Sequence, residues 1–402
     1  MPTTDIPAQN LDRTGVAAGV KRFRADMGVG MAGFDIPLLF AALALVVFSL
    51  VTLTGATRDD VPGSPHYYVL RQSIFAAAGL GAMLVVARLD YVRLRDMWRP
   101  IYGLLIGSIL VVFLVGATAL GSRRWLDLGI FQFQPSELGK LLIIIVLAGF
   151  LTERARDRSS IQTTLAAIGL AALPAALIFI QPDLGSAMVY GAITLMMLFV
   201  AGTSWQQLTA IFAIVVLLIS LVLWAAPAAG VNVLKEYQVA RLTSFLHPSE
   251  NRDEYSYQQT QAQIAIGAGE RTGRGSEGAT QSQLNFLPEH RTDFVFAVVG
   301  ESYGFAGAAS VLTLYALLIW RSLRILASSR DQFGSLIAAG IAAVFIFQVF
   351  VNVGMNVGIM PITGVTLPLM SYGGSSMVVT FIALGLLQAI ALQASGPRKT
   401  TI

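Results

Sequence analysis

Two carboxylates frame the stretch LPEHRTDFVFAVVGESYG, residues 287–304. Asp293 ends a polar, charged loop, and Glu301 sits inside the apolar run that begins at once. A carboxylate at such a boundary could act as a general base, taking a proton from a hydroxyl that arrives from water. It could equally cap the helix that follows, because Thr292 and Asp293 stand where free N–H groups and the macrodipole favour negative charge. Glu301 lies two turns further on, about 12 Å along a helix axis, too far to share that proton. A structural or lipid-lining role is expected of it.

Three further segments carry polar residues in otherwise apolar surroundings. RRWLDLGIFQFQPSELGK holds Arg123, Arg124 and Trp125, then Glu137 and Lys140, which share a helix face three residues apart. QPDLGSA places Gln181, Pro182 and Asp183 in a very tight connection, and NVGIMPITGVTLPLMSYGGSSM carries two prolines, Ser371 and Tyr372. In hydrocarbon a charged side chain costs about 2.5–3.5 kcal/mol on insertion scales, so those retained face a cavity or a partner. Plainer readings exist for each. Glu137 and Lys140 make an intrahelical ion pair as readily as a substrate contact. Asp183 suits a turn or helix cap, and SYGGSS suits close packing at a helix interface. GAGERTGRGSEG reads as a flexible loop, with only a loose likeness to a phosphate cradle.

All four clusters fall on one side of the membrane pattern described below, so they define an outward-facing polar hollow. Arg123, Arg124 and Lys140 could neutralise a phosphate or pyrophosphate there. Gln181, Asp183, Trp125, Glu137, Ser371 and Tyr372 complete the candidate substrate-binding set. With Asp293 as base, the chemistry described is glycosyl transfer from a lipid pyrophosphate, and displacement from the opposite face would invert the anomeric centre. Mg²⁺ or Mn²⁺ held by the pyrophosphate and one or two carboxylates could replace the cation clamp. A transporter or lipid flippase would show the same broken helices and buried charges.

The elements that must position these residues are membrane helices. Hydrophobic residues make up 55% of the 402-residue chain and charged residues only 12%, against roughly 25% in soluble domains. Mean hydropathy is +0.68. Cysteine is absent, which excludes disulfides, thiolate metal sites and Cys nucleophiles, and His66, His247 and His290 lack metal-ligand spacing. The pI of 9.4 follows from orienting charges and does not call for nucleic acid. Apolar runs of spanning length occur at about 36–56, 69–88, 100–120, 137–151, 162–180, 185–201, 207–227, 294–320, 334–356 and 373–393. The expected fold is an all-α polytopic membrane protein of about ten transmembrane helices. Residues 1–35 form a cytoplasmic N-terminal tail, 36–393 one membrane domain, and 394–402 a cytoplasmic C-terminal tail. Arginines and lysines concentrate before the first span, at 88–99, at 154–158, at 321–330 and at the C-terminus, so both termini are assigned to the inside. The large loop 228–292, between spans seven and eight, is then extracytoplasmic, and its YSYQQTQAQIAIGAG segment predicts a short interfacial helix closed by glycines.

With these motifs in hand, the chain resembles the SEDS family (shape, elongation, division and sporulation) of polytopic peptidoglycan polymerases. The resemblance rests on RRWLDLGIFQFQPSELGK, QPDLGSA, GATQSQLNFLPEHRTDFVFAVVGESYGFAG and GIMPITGVTLPLMSYGGSSM, in the family's order across about 36–393. TQSQLNFLPE and PITG are more similar to the elongation member, RodA, than to the division member, FtsW. The resemblance implies polymerisation of lipid II, the undecaprenyl-pyrophosphate-linked substrate, into β-1,4 glycan strands at the outer face of the bacterial cytoplasmic membrane. It makes Asp293 the essential aspartate of the TDF motif and Trp125, Glu137 and Lys140 family site residues. It also implies a partner: a class B penicillin-binding protein, a transpeptidase like penicillin-binding protein 2. A non-catalytic scaffold for such a protein is the remaining alternative. Two departures stand out. Glu270 replaces a glycine and Arg274 a lysine in the loop before TQSQL, and Ser302 replaces the second glutamate of the family's paired acids.

Overall fold

A computed structural model describes residues 33–222 apart from 59, 116, 120, 121, 128–131 and 158, and residues 254–395 apart from 284 and 285. Most of both expected tails and the 223–253 part of the large loop lie outside the described residues. In chain order the helices are α1 (Ile36–Ala56), α2 (Tyr67–Val86), α3 (Trp98–Val115), α4 (Pro135–Glu153), α5 (Ile161–Ile180), α6 (Leu184–Ala201) and α7 (Trp205–Ser220). Then come α8 (Glu254–Ala268), α9 (Gly275–Gly278), α10 (Thr280–Gln283), α11 (Val295–Ser328), α12 (Gln332–Val357) and α13 (Gly374–Ser395). Each expected span therefore contains a helix, but the run 100–120 leaves the helix after Val115 and enters β1, and residues 223–227 of the seventh run lie outside the described residues. Eight of the helices are long and apolar enough to cross a bilayer, and Trp98–Leu114 and Trp205–Leu218 are shorter apolar helices.

Burial sorts these helices into layers. The spanning window of α4 is 89% buried, that of α13 83% and that of α12 72%, so these form the centre. By contrast α2, at 22%, presents most of its surface outward. Glycines allow the close packing: a Cβ on Gly340 of α12 would lie 2.7 Å from Ile144 of α4, and one on Gly79 of α2 2.6 Å from Phe381 of α13. Three short strands, β1 (Ala117–Ala119), β2 (Ser122–Asp127) and β3 (Gln132–Phe133), form an antiparallel sheet in that order; β1 takes the end of the run expected to be the third span, and β2 and β3 lie where the sequence suggested only a loop.

The bundle has one charge-rich end. Asp35 caps α1 through Leu38 N at 3.0 Å and accepts two bonds from Arg321 Nε on α11, at 3.0 and 3.1 Å. Gln388 of α13 bonds both the N–H and the C=O of Asp35. Arg99 meets Glu153 at 2.8 Å, Arg330 Nε donates to Ala394 O, and Tyr91 donates to Asp331. Basic residues expected on the inside thus gather at one end, which the excess of positive charge assigns to the cytoplasm.

The eighth span departs from expectation. The run 294–320 was read as continuous, but α11 is broken at Gly304, whose φ of 63° and ψ of −159° no helix contains. Residues 295–303 form a short buried half-helix, and the longer remainder makes the crossing. Carbonyls of the preceding loop satisfy the donors freed at the break: Phe305 N donates to Glu270 O at 2.9 Å and Ala306 N to Arg271 O at 3.1 Å. That loop is GAGERTGRGSEG, so the segment expected to be flexible is the brace of the break. Glu270 itself adopts φ 49°, a left-handed conformation that suits the glycine it replaces.

Candidate active site

At the end of the bundle opposite Asp35 and Arg321, the four polar clusters meet. Asp293 precedes the half-helix and is partly exposed. The N-cap residue of that half-helix is Phe294, which makes no side-chain cap bond. Asn356 of α12 serves that need instead, its Oδ1 accepting from Ala297 N at 3.0 Å. Asn352 and Asn356 also donate to the carbonyl of Asp293, at 2.9 and 3.2 Å, and Asn352 reaches Val365 O at 2.7 Å. One turn of α12 thereby fixes the base candidate against the segment after it. At Gly364, φ is 74° and a built Cβ would lie 3.8 Å from Asp293 Oδ2.

The segment between α12 and α13 is irregular yet mostly buried, a state tolerated at membrane depth only where its backbone polar groups find partners inside the protein. Those partners come from four helices. Ser49 of α1 donates to Met370 O at 2.7 Å, Gln72 of α2 to Ser371 O at 3.1 Å, Tyr315 of α11 to Pro368 O at 2.5 Å, and Asn352 of α12 to Val365 O. Ser371 closes the weave: its hydroxyl accepts from Leu367 N at 2.8 Å and donates to Thr292 O at 2.6 Å. Tyr372 N donates to Arg291 O at 2.8 Å. Thus Ser371 is a backbone organiser, 4% exposed, whereas Tyr372 keeps a partly exposed ring.

The remaining clusters join through α6 and α4. Asp183 caps α6, accepting from Ser186 N at 3.1 Å and Ser186 Oγ at 2.8 Å. It also accepts from Ser136 Oγ and Gln134 Nε2, both at 3.3 Å, so it is cap and inter-helix tie at once. A Cβ on Gly185 would lie 2.7 Å from Thr363 O, which brings the start of α6 against the segment that flanks Asp293. Ser375 accepts from Gln134 N and donates to Gln132 O, both at 3.1 Å, tying β3 to α13. Gln181 turns instead to Ile109 O at 3.1 Å.

Lys140 and Glu137 form the intrahelical pair at 2.7 Å, with side chains 6% and 9% exposed. They line a small cleft of about 30 Å³ with Ile341, Gln348 and Thr380, room for roughly one water molecule. Nearby, the Tyr190, Thr363 and Thr366 hydroxyls are buried without a hydrogen-bond partner. Trp125 lies on β2, partly exposed; the side chains of Arg123 and Arg124, on the same strand, lie outside the described residues. Glu301 is fully buried, accepting from Gln281 N at 2.8 Å and from Ser282 N and Oγ at 3.1 and 2.7 Å. It anchors α10 to the half-helix and does not line a lipid path.

A second group of charges, with no motif to mark it in the sequence, stands beside the base candidate. Asp60, from the α1–α2 connection, meets Arg291 Nη1 at 3.1 Å and His290 Nε2 at 3.2 Å. The Arg291 guanidinium lies 4.6 Å from the Tyr68 ring centre, and Tyr68 packs edge-on against Tyr67 and Tyr372. Among the described residues no group of three or more His, Asp and Glu is placed to hold a metal ion. The Asn352/Asn356 clamp had a sequence signal, two amides four residues apart in an apolar helix. Asp60 had none that distinguished it from an ordinary loop charge.

Comparison with known proteins agrees with this architecture. The family model for FtsW, RodA and SpoVE, described as "Cell cycle protein", matches residues 34–396. The chain is 38% identical to a "Probable peptidoglycan glycosyltransferase FtsW" of Thioalkalivibrio sulfidiphilus, over 91% of this chain and 92% of that one. It is 36% identical to the peptidoglycan glycosyltransferase MrdB of Escherichia coli K12, over 89% and 93%. Among solved structures, a chain of a peptidoglycan synthase complex that coordinates polymerization and crosslinking aligns with TM-score 0.75 at 32% identity, over 90% of this chain and 99% of that one. The rod shape determining protein RodA of Thermus thermophilus aligns with TM-score 0.66 at 29% identity, over 90% and 98%.

Proposed function

Because the chain belongs to the FtsW/RodA/SpoVE family of cell cycle proteins, we propose that it is a peptidoglycan glycosyltransferase of the cytoplasmic membrane, with Asp293 as its general base. The observation that carries the assignment of the base is the clamp of Asn352 and Asn356 on the Asp293 carbonyl, at the point where all four polar segments converge. The acceptor sugar's hydroxyl gives its proton to the Asp293 carboxylate as its oxygen attacks the donor's anomeric carbon. The new C–O bond forms as the bond to the lipid diphosphate breaks, and the diphosphate departs with the electron pair. Attack from the opposite face inverts the centre, and the substrate that fits is lipid II, donor and acceptor alike.

Trp125, Glu137, Lys140, Asp183 and Tyr372 are proposed to line the substrate's path. Gln181 and Ser371 are proposed to shape that path through the backbones they hold. Mg²⁺ or Mn²⁺, if it takes part, would be held through the substrate's diphosphate with one or two carboxylates, and would offset charge on the leaving group. Elongation is the proposed cellular setting, on the TQSQLNFLPE and PITG motifs; FtsW and MrdB relatives at near-equal identity do not separate it from division. The proposed partner is a class B penicillin-binding protein that crosslinks the strands. Fluorescent lipid II incubated with purified protein and that partner should give a ladder of glycan polymer on a gel. Lipid II crossing proteoliposomes with no polymer formed would mean a transporter instead.

A further inference from the structure

Of the cations expected to clamp a phosphate, Lys140 spends its charge on Glu137 inside the bundle, and the side chains of Arg123 and Arg124 lie outside the described residues. Two further arginines stand at this end of the bundle. Arg71, on the first turns of α2, shares a hydrogen bond with the Tyr372 side chain and lies 5.0 Å over the Tyr67 ring. Arg291, two residues before Asp293, lies over Tyr68 and is held by Asp60. Three tyrosine rings packed edge to edge thus carry a guanidinium at each side. Both arginines and Tyr68 and Tyr372 are partly exposed, and Tyr67 is 39% exposed.

The position of this shelf is fixed by the weave that fixes the base. Gln72, fully buried and next to Arg71, donates to Ser371 O and accepts from Gly373 N, at 3.1 and 3.3 Å. Ser371 in turn donates to Thr292 O. Arg71, Arg291 and Asp293 are therefore set by one continuous set of hydrogen bonds. Below the shelf, the outward face of α2 is apolar: Leu70, Ile74, Leu84 and Val85 are 62%, 56%, 41% and 62% exposed and continue the stripe that starts at Tyr67. A paired cationic site at the head of a lipid-facing apolar stripe matches a ligand with an anionic head and a hydrocarbon tail. Planar guanidinium groups suit the clustered oxygens of a diphosphate, and the aromatic faces suit the sugar beyond it.

Resting on the polymerase reading, we propose that Arg71 and Arg291, flanked by Tyr67, Tyr68 and Tyr372, form the subsite for the diphosphate of a membrane-borne substrate, whose tail follows the exposed face of α2. Asp60 orients Arg291 and is a positioning residue.

Binding separates this subsite from catalysis. The full-length protein in nanodiscs of neutral lipid is titrated with radiolabelled undecaprenyl diphosphate, with undecaprenol and inorganic pyrophosphate as controls. Wild type should bind the lipid diphosphate in preference to both controls, and Asp293→Asn should bind it as wild type does. Arg71→Gln should weaken it about tenfold or more, the loss of one charge-assisted bond, while Arg71→Lys keeps most of the affinity. Equal affinity of wild type and Arg71→Gln, or no saturable binding to wild type, overturns the subsite. Pyrophosphate binding as tightly as the lipid overturns the membrane-borne source. Should the subsite bind as expected while wild type makes no polymer, the polymerase reading fails and the subsite stands.

Discussion

Asp293 is held through its main chain. Two asparagines one helical turn apart grip its carbonyl, and the same Asn352 amide reaches Val365 O, so a single side chain sets the distance between the base and the segment opposite. Asn352→Ala takes its donor from the buried Val365 carbonyl and leaves the Asp293 carbonyl with Asn356 alone, at a cost of about 1–3 kcal/mol. The expected outcome is a lower unfolding temperature and a polymerisation rate reduced well beyond the loss of folded protein, read by comparing thermal unfolding with initial rates. Asp60 gives a prediction with a pH signature. Burial works against its charge, but the hydrogen bonds and charges of His290 and Arg291 prevail and hold its carboxyl below the usual Asp range. A depressed folded value means its contribution is complete above the unfolded pKa of about 3.9 and is lost as pH falls through the folded one. Asp60→Asn should therefore unfold at a lower temperature than wild type at neutral pH, and the gap should close on acidification below about pH 4. A gap that stays constant into that range would count against the ion pair. At this scale the sequence disclosed the odd residues without their partners. Asp293, Glu301 and Asp183 stand out because carboxylates are rare in apolar sequence, but nothing in the spacing tells that Asp183 serves Ser136 or that Glu301 serves Ser282. Arg71 and Asp60 look like any charge at a helix end.

The elements were legible wherever hydrophobic length decides them. Among the described residues each of the ten apolar runs carries a helix, because a bilayer leaves the backbone few other ways to satisfy itself. The break in α11 was not legible: ESYGFAG is apolar enough to read as unbroken helix, and the cause lies in distant carbonyls at Glu270 and Arg271. The sheet of β1–β3 escaped for a similar reason, since strands of two to six residues carry little periodicity. The break yields an element-scale prediction. A Cβ on Gly304 would lie 2.4 Å from Gly273 N and would force a conformation that L-residues avoid. Gly304→Ala should cost at least about 2 kcal/mol, from strain and overpacking together. Because Asp293 and the half-helix dock through this brace, activity should fall with it. Unfolding temperature and polymerisation measured on the same preparation check both, and a variant as stable as wild type would mean the break is not required.

Across the whole molecule the two ends have separate tasks. The cytoplasmic end is closed by Asp35, Arg321 and Gln388, which join α1, α11 and α13 with buried, charge-assisted bonds. Breaking such a pair by removing one partner typically costs about 3–5 kcal/mol, less here because Arg321 is partly exposed. Asp35→Ala should lower the unfolding temperature and leave the Michaelis constant for lipid II unchanged, since the site lies at the far end. A raised Michaelis constant in the folded variant would show that the two ends are coupled. The outer end is where four segments distant in sequence become one surface. The sequence places them only on a shared side of the membrane; the contacts that make them a site run through Ser371, which stands out in sequence for substrate and not for the backbone it holds, and through Gln134 and Ser136, residues too ordinary in type to announce themselves.

Loss of one proton acceptor, with shape preserved, tests the chemistry most directly. Purified Asp293→Asn with its crosslinking partner and labelled lipid II should form polymer at least about a hundredfold more slowly than wild type, while folding and lipid II binding are unchanged. Glycan strands made at the wild-type rate by that variant would contradict the role of Asp293 as the base.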